Sequence, residues 1–307
     1  MNHPSARRWL ISAVVLVLLA AMVVQMSGSY QDVAYFHRLS ASILIVTLFG
    51  QFLSQLLFNE AMLLPLRPYV KNLRYWEFFM VRTGGLFVGS IVPVAGNIAV
   101  RLAYLRRHGL TYSDFAWATL VSNVLAFIAA AALSAFATVL LWIVAGTVPP
   151  LVLGLSAGGV VLSAAASLGF HRLPRLAGYA RLRPWLSHVS GFETSRRMIL
   201  GVFALSLGRH GLNFMTFGLL YQSLSGLPGD FLTGGLVYAL TSPVRMITIT
   251  PGNLGVNEWV VAIVGKVLDF DVTTGLIVAL LFRGIALAAQ ALGVLVGWAW
   301  LAHRSQH

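Results

Sequence analysis

Six apolar runs, each about as long as a bilayer core is thick, set the terms for this chain. They cover residues 9–26, 40–64, 115–145, 151–170, 198–224 and 274–301. An α-helix rises about 1.5 Å per residue, so roughly 20 apolar residues cross a hydrocarbon core about 30 Å thick. Charged residues are 10% of the 307, against roughly 25% in soluble domains. So few charges cannot cover the water-facing surface of a globule this size. A soluble enzyme, a disordered chain and a disulfide-stapled secreted domain are excluded. The absence of cysteine removes thiol chemistry and zinc-thiolate sites. The expected fold class is all-α, a polytopic membrane helix bundle forming a single integral membrane domain over 1–307. The first run follows Arg7 and Arg8 as a signal peptide would. It exceeds the usual apolar core of such a peptide, and no A-x-A cleavage site follows, so it reads as a retained span.

Two further apolar stretches are interrupted. Residues 75–100 contain Gly84, Gly85, Gly89, Pro93 and Gly96; residues 231–270 contain Pro243, Pro251, Gly252 and Gly255. Such breaks free backbone groups that hydrocarbon cannot satisfy, so they survive only within protein or beside a wet cavity. Both stretches therefore read as broken re-entrant helical hairpins, added to about six full spans.

The net charge of +12 would suggest nucleic acid in a soluble domain, but no soluble basic face exists to carry it, and no nucleic-acid partner is expected. Most of the 19 arginines and 2 lysines instead lie in short clusters between the runs. With both termini cytoplasmic and each broken stretch leaving on the side it entered, 15 basic residues fall inside and two, Arg38 and Lys266, fall outside. That is a strong positive-inside bias. The first hairpin then dips in from the cytoplasm and the second from outside. Opposed units with broken helices near the midplane are the pattern of secondary transporters. They imply an inverted repeat with halves near 40–145 and 198–301, joined by an amphipathic cytoplasmic linker over 171–197. In that linker leucines, Trp185 and arginines alternate around Pro174 and Pro184, which suits contact with anionic lipid.

The candidate site residues are the ionisable groups within apolar sequence, where charge is costly and tends to mark function. Glu258 opens a helix three residues after Gly255. It reads either as a substrate-facing group or as a carboxylate that favours the helix dipole. Arg101, Arg245, Arg283 and Arg209 are its candidate partners. Arginine keeps its charge and grips phosphate with a planar fork, so these residues would surround a cationic cavity suited to an anionic head group. Arg101 also reads as a topology charge, Arg209 as a snorkelling side chain, and Arg82 as a residue at the mouth of its dip. Glu60 and Glu77 read as interfacial or salt-bridged, and His210 as a packed, hydrogen-bonded imidazole. Gly85/Gly89, Gly154/Gly158 and Gly293/Gly297 have the spacing of close helix contacts. No H-E-x-x-H motif, nucleophile with a base, or paired aspartate motif occurs, so no enzyme activity, metal or cofactor is expected.

At the two breaks the sequence resembles a known family. Pro251-Gly252-Asn253-Leu254-Gly255-Val256-Asn257-Glu258 is similar to the P-G-G-[ILV]-G-x-x-E segment in the transmembrane region of lysylphosphatidylglycerol synthases and their stand-alone, flippase-like relatives. The stretch 275–293 with Arg283 resembles that family too, as does Val92-Pro93 through Gly96 to Arg101. The first half departs where Asn97 replaces the usual acid and Arg101 falls one residue late. The resemblance implies a module that moves or accommodates a lipid. Taken with the buried charges, it makes Arg101, Glu258, Arg283, Arg245, Arg209, Asn97 and Asn253 the candidate substrate contacts, around helix breaks at Pro93, Gly96, Pro251, Gly252 and Gly255. With no synthase domain before His307, lysyl-lipid synthesis is not expected. The functional expectation is a translocase of the cytoplasmic membrane whose partner is an anionic phospholipid or a polyprenyl-phosphate-linked glycan, acting alone or as a homodimer. The alternative is a membrane-embedded transferase, or an accessory subunit of one, for lipid-linked sugars or head groups.

Overall fold

The computed structural model describes residues 39–70, 73–91, 95–172, 195–243 and 254–304. Among these residues the regular structure is helical. In chain order the helices are α1 (Ala41–Leu63), α2 (Tyr75–Ile91), α3 (Ala95–Arg107), α4 (Tyr112–Ala145), α5 (Pro150–Arg172), α6 (Arg196–Ser225), α7 (Asp230–Thr241), α8 (Val256–Val267) and α9 (Val272–Arg304). Five of them, α1, α4, α5, α6 and α9, are long and apolar enough to cross a membrane. They coincide with five of the six apolar runs; the run 9–26 lies outside the described residues, as does most of the linker 171–197. By contrast, α7 and α8 have 12 residues each, about 18 Å of rise, too short to span.

Local chemistry fixes where the long helices begin and end. Ser40 Oγ accepts from the Ile43 N–H to open α1, and Ser195 Oγ does the same for the Met198 N–H at α6. Thr111 and Asp114 form a reciprocal capping box at α4. Gly146 and Gly226 close α4 and α6 with φ of 72° and 78°, left-handed values at which a Cβ would be strained.

Two apolar clusters mark the two ends of the bundle. One gathers Met62 and Leu63 from the end of α1, Phe78 from early α2, Leu105 from the end of α3, and Leu110 and Phe115 where α4 begins. Early α2 and late α3 thus lie together, and Tyr104 on α3 donates to Glu77 on α2 at 3.0 Å. The α2–α3 hairpin therefore leaves at the end where it entered. The other cluster gathers Tyr221 and Leu224 from the end of α6, Leu268 and Phe270 after α8, and Ile277 and Val278 early in α9, with Leu39 just before α1. The end of α6 and the start of α7 face each other there, since a Cβ at Gly234 would fall 2.5 Å from Tyr221 Cβ. The α7–α8 hairpin opens at this second end. Because α1 runs from Leu39 in one cluster to Leu63 in the other, the two hairpin mouths lie at opposite ends of the molecule.

Glycines set the close contacts between helices. α1 and α6 run antiparallel, with Leu64 over Gly201 (3.2 Å from a Cβ placed there), Leu57 over Gly208 (3.3 Å) and Thr216 over Gly50 (3.4 Å). The seven-residue step keeps one seam facing its partner. Gly293 and Gly297 do seat α9 on α2, against Phe79 and Met80. Gly154 and Gly158 do not behave as their spacing suggested: a Cβ at either meets nothing within 4 Å, and it is Gly159 that faces α4, at Ala131. On α5, glycines one turn apart simply share the outward face, which carries exposed Leu151, Leu155 and Leu162.

Candidate functional site

Glu258 and Arg283 form the sharpest charged contact inside the bundle. α8 starts at Gly255, whose φ of 79° belongs to the region that glycine tolerates best. That turn points the Gly255 N–H at Glu258 Oε2, 2.7 Å away. The carboxylate thereby occupies the third helical position and satisfies one of the donors that every helix start leaves open. Its other oxygen, Oε1, accepts from Arg283 Nη1 at 2.5 Å. α9 can bring Arg283 there because it packs antiparallel and tight against α8; a Cβ at Gly275 would fall 2.6 Å from Ala262 Cα. Glu258 is 1% exposed and the Arg283 side chain 19%, so the carboxylate is sealed and the arginine side chain is mostly covered. Of the two alternatives for Glu258, the geometry shows the helix-start carboxylate, which also holds an arginine.

Arg101 and Arg209 make contacts of a different kind. α3 packs mainly on α2 and α4, whereas α8 packs on α9 and α7, so the helices that carry Arg101 and Glu258 have different main neighbours. Arg101 donates to Met62 Sδ at 3.1 Å, lies over the Phe115 ring, and lines a cavity of about 10 Å³ with Met62, Leu66, Phe78, Ala118 and Thr119. That space holds roughly one water. Arg209 on α6 stacks on the Phe58 ring with its guanidinium carbon 3.8 Å from the centroid.

Arg82 is the residue that sequence reasoning misplaced. It does not sit at the mouth of its dip; it is 1% exposed. Its Nε donates to Asn59 Oδ1 at 3.3 Å, and its Nη2 donates to the carbonyl and to Oε1 of Gln55, each at 2.9 Å. The guanidinium also lies 4.7 Å from the Phe58 centroid. Its partners sit 23 and 27 positions earlier on α1, visible only once α1 and α2 pack. The signal that was available is its place near the middle of a 17-residue apolar helix, too deep for a mouth.

Several of the other polar groups pair with one another. Glu60 pairs with Arg67 at 2.6 Å and Glu77 with Arg74 at 3.4 Å. A buried chain links four helices: Gln51 Nε2 donates to Asn213 Oδ1, and Asn213 Nδ2 donates to the Tyr238 hydroxyl. The Tyr238 hydroxyl also hydrogen-bonds His210 Nδ1 at 2.9 Å, and His210 Nε2–H donates to the Ala126 carbonyl at 3.1 Å. The chain fastens α1, α6, α7 and α4 together.

Pro93, Arg245, Pro251, Gly252 and Asn253 lie outside the described residues. Gly96 and Asn97 fall in the first turn of α3, and the side chain of Asn97 lies outside the described set. Compared with known proteins, residues 8–293 match the family model of the lysylphosphatidylglycerol synthase TM region. Neither curated proteins nor solved structures give a match.

Proposed function

The chain belongs to the lysylphosphatidylglycerol synthase TM-region family, and from that premise we propose that it translocates a lipid with an anionic head group across the cytoplasmic membrane. It is a multi-pass membrane protein, and the family ties it to lipid modification or flipping. The observation that carries the finer reading is the Glu258–Arg283 pair, held at the start of a helix too short to span. A sealed carboxylate fixes the guanidinium in one orientation, so Arg283 would meet a phosphate-bearing head group with little further loss of side-chain freedom. The two hairpins, whose mouths lie at opposite ends, supply a path on each side of that group. The lipid is the proposed partner, and the protein acts as a carrier rather than as an enzyme.

The test is a transport assay. Purified protein in sealed liposomes should accelerate the loss of a fluorescent phosphatidylglycerol from the inner leaflet. Glu258→Gln and Arg283→Gln should each slow it by about tenfold or more, the weight of one charge-assisted contact. Equal rates in wild type and both variants, with all three folded, would remove the proposal.

A further inference from the structure

We infer a second anion-binding site, distinct from the Glu258–Arg283 pair, in which Arg82 and Arg209 grip a phosphate group across the Phe58 ring. α2 and α6 both pack on α1 and bring their arginines to the same aromatic side chain, with guanidinium carbons 4.7 and 3.8 Å from its centroid. Arg101 is a third cation within electrostatic reach of Arg82. Adjacent buried cations repel, and a low-dielectric surrounding magnifies that repulsion. Three arginine–glutamate pairs show how this chain offsets charge elsewhere. Arg82 is treated differently, since its partners are the neutral amides of Asn59 and Gln55. Arg209 makes no ion pair among the described residues.

The decisive atom is Arg82 Nη1, which is buried and has no hydrogen-bond acceptor among the described residues. A buried guanidinium donor without an acceptor is costly, and an anion lying against it supplies what is missing. Arg209 and Phe58 are both only partly buried, so an anion would enter from the Arg209 side. The ligand chemistry is a tetrahedral oxyanion: two guanidinium forks beside one ring suit several oxygens better than the flat pair of a carboxylate. A phosphodiester in a lipid head group and a free phosphate share that chemistry.

The experiment is thermal unfolding of the full chain in neutral detergent, titrated separately with inorganic phosphate, short-chain phosphatidylglycerol and short-chain phosphatidylcholine. Wild type should be stabilised in a salt-sensitive manner. Arg209→Gln should weaken that binding by about tenfold or more, and Phe58→Leu by less. In an Arg283→Gln background, where the transport contact is removed, the part of the stabilisation that depends on Arg209 should remain, which separates this site from the transport proposal. Arg82→Gln removes bonds that hold α2 to α1 and could unfold the protein; Arg209→Gln breaks none of those bonds and keeps the test decisive. Stabilisation by phosphatidylglycerol alone identifies a lipid head group as the source, and stabilisation by phosphate in both forms identifies the oxyanion itself. No stabilisation by either form, or the same stabilisation in Arg209→Gln as in wild type, overturns the inference.

Discussion

The two hairpins share an outline and differ in how they treat charge. In the α7–α8 hairpin, the buried carboxylate of Glu258 has both oxygens engaged, one by the helix start and one by Arg283. Beside the α2–α3 hairpin, Arg82 and Arg209 lean on one ring with neutral partners. A matched pair within the bundle is a fixed device that aims one group. Neighbouring cations with an open donor are an unfinished device that something else completes.

The largest expected effect tests the matched side. Glu258→Ala removes the acceptor of both the Gly255 N–H and Arg283, and should destabilise the protein by about 3 kcal/mol in chemical unfolding. The double variant Glu258→Gln/Arg283→Gln should lose less than the sum of the single losses, by about 1–3 kcal/mol of coupling. Strict additivity would show that the pair is not a unit.

Next comes the packing that sets each site. Gly275→Ala places a Cβ 2.6 Å from the Ala262 backbone and should cost about 2 kcal/mol, because backbone cannot step aside. Gly208→Ala meets only the end of Leu57, at 3.3 Å, and should cost less than about 1 kcal/mol. If the two losses are equal, the α8–α9 contact is not the tighter one. On the outward face, Gly154→Ala should gain up to about 1 kcal/mol of helix preference. A loss there would mean that this face is packed against something.

The smallest stability effect belongs to the unmatched side. Arg209→Gln should change unfolding stability by less than about 0.5 kcal/mol without ligand, because it removes a charge that no described carboxylate offsets. A loss of several times that size would give Arg209 a structural partner and weaken the contrast.

The contrast was only partly legible in the sequence. Long apolar runs give five spanning helices directly, because length and hydropathy decide a membrane crossing with little help from packing. The shortness of α7 and α8 follows from the proline and glycine breaks. What could not be read was register. Arg82 finds Gln55 and Asn59, and Glu258 finds Arg283, only after neighbouring helices slide into place, and periodicity does not fix that slide. The Gly154/Gly158 motif misled for a related reason, since one helical period serves an inward and an outward face equally well. The neighbours of each buried arginine were equally illegible, because sequence presents intramembrane charge as a single population, whereas α3 and α8 pack on different neighbours.

The most direct test concerns the opposed mouths, on which a two-sided path depends. The chain has no cysteine, so single cysteines can be placed at Ser113, beside the α2–α3 mouth, and at Leu227, beside the α7–α8 mouth, and probed with an impermeant thiol reagent in sealed, uniformly oriented vesicles. The account predicts that one position labels only from outside the vesicle and the other only from its lumen. Labelling of both from the same side would contradict it.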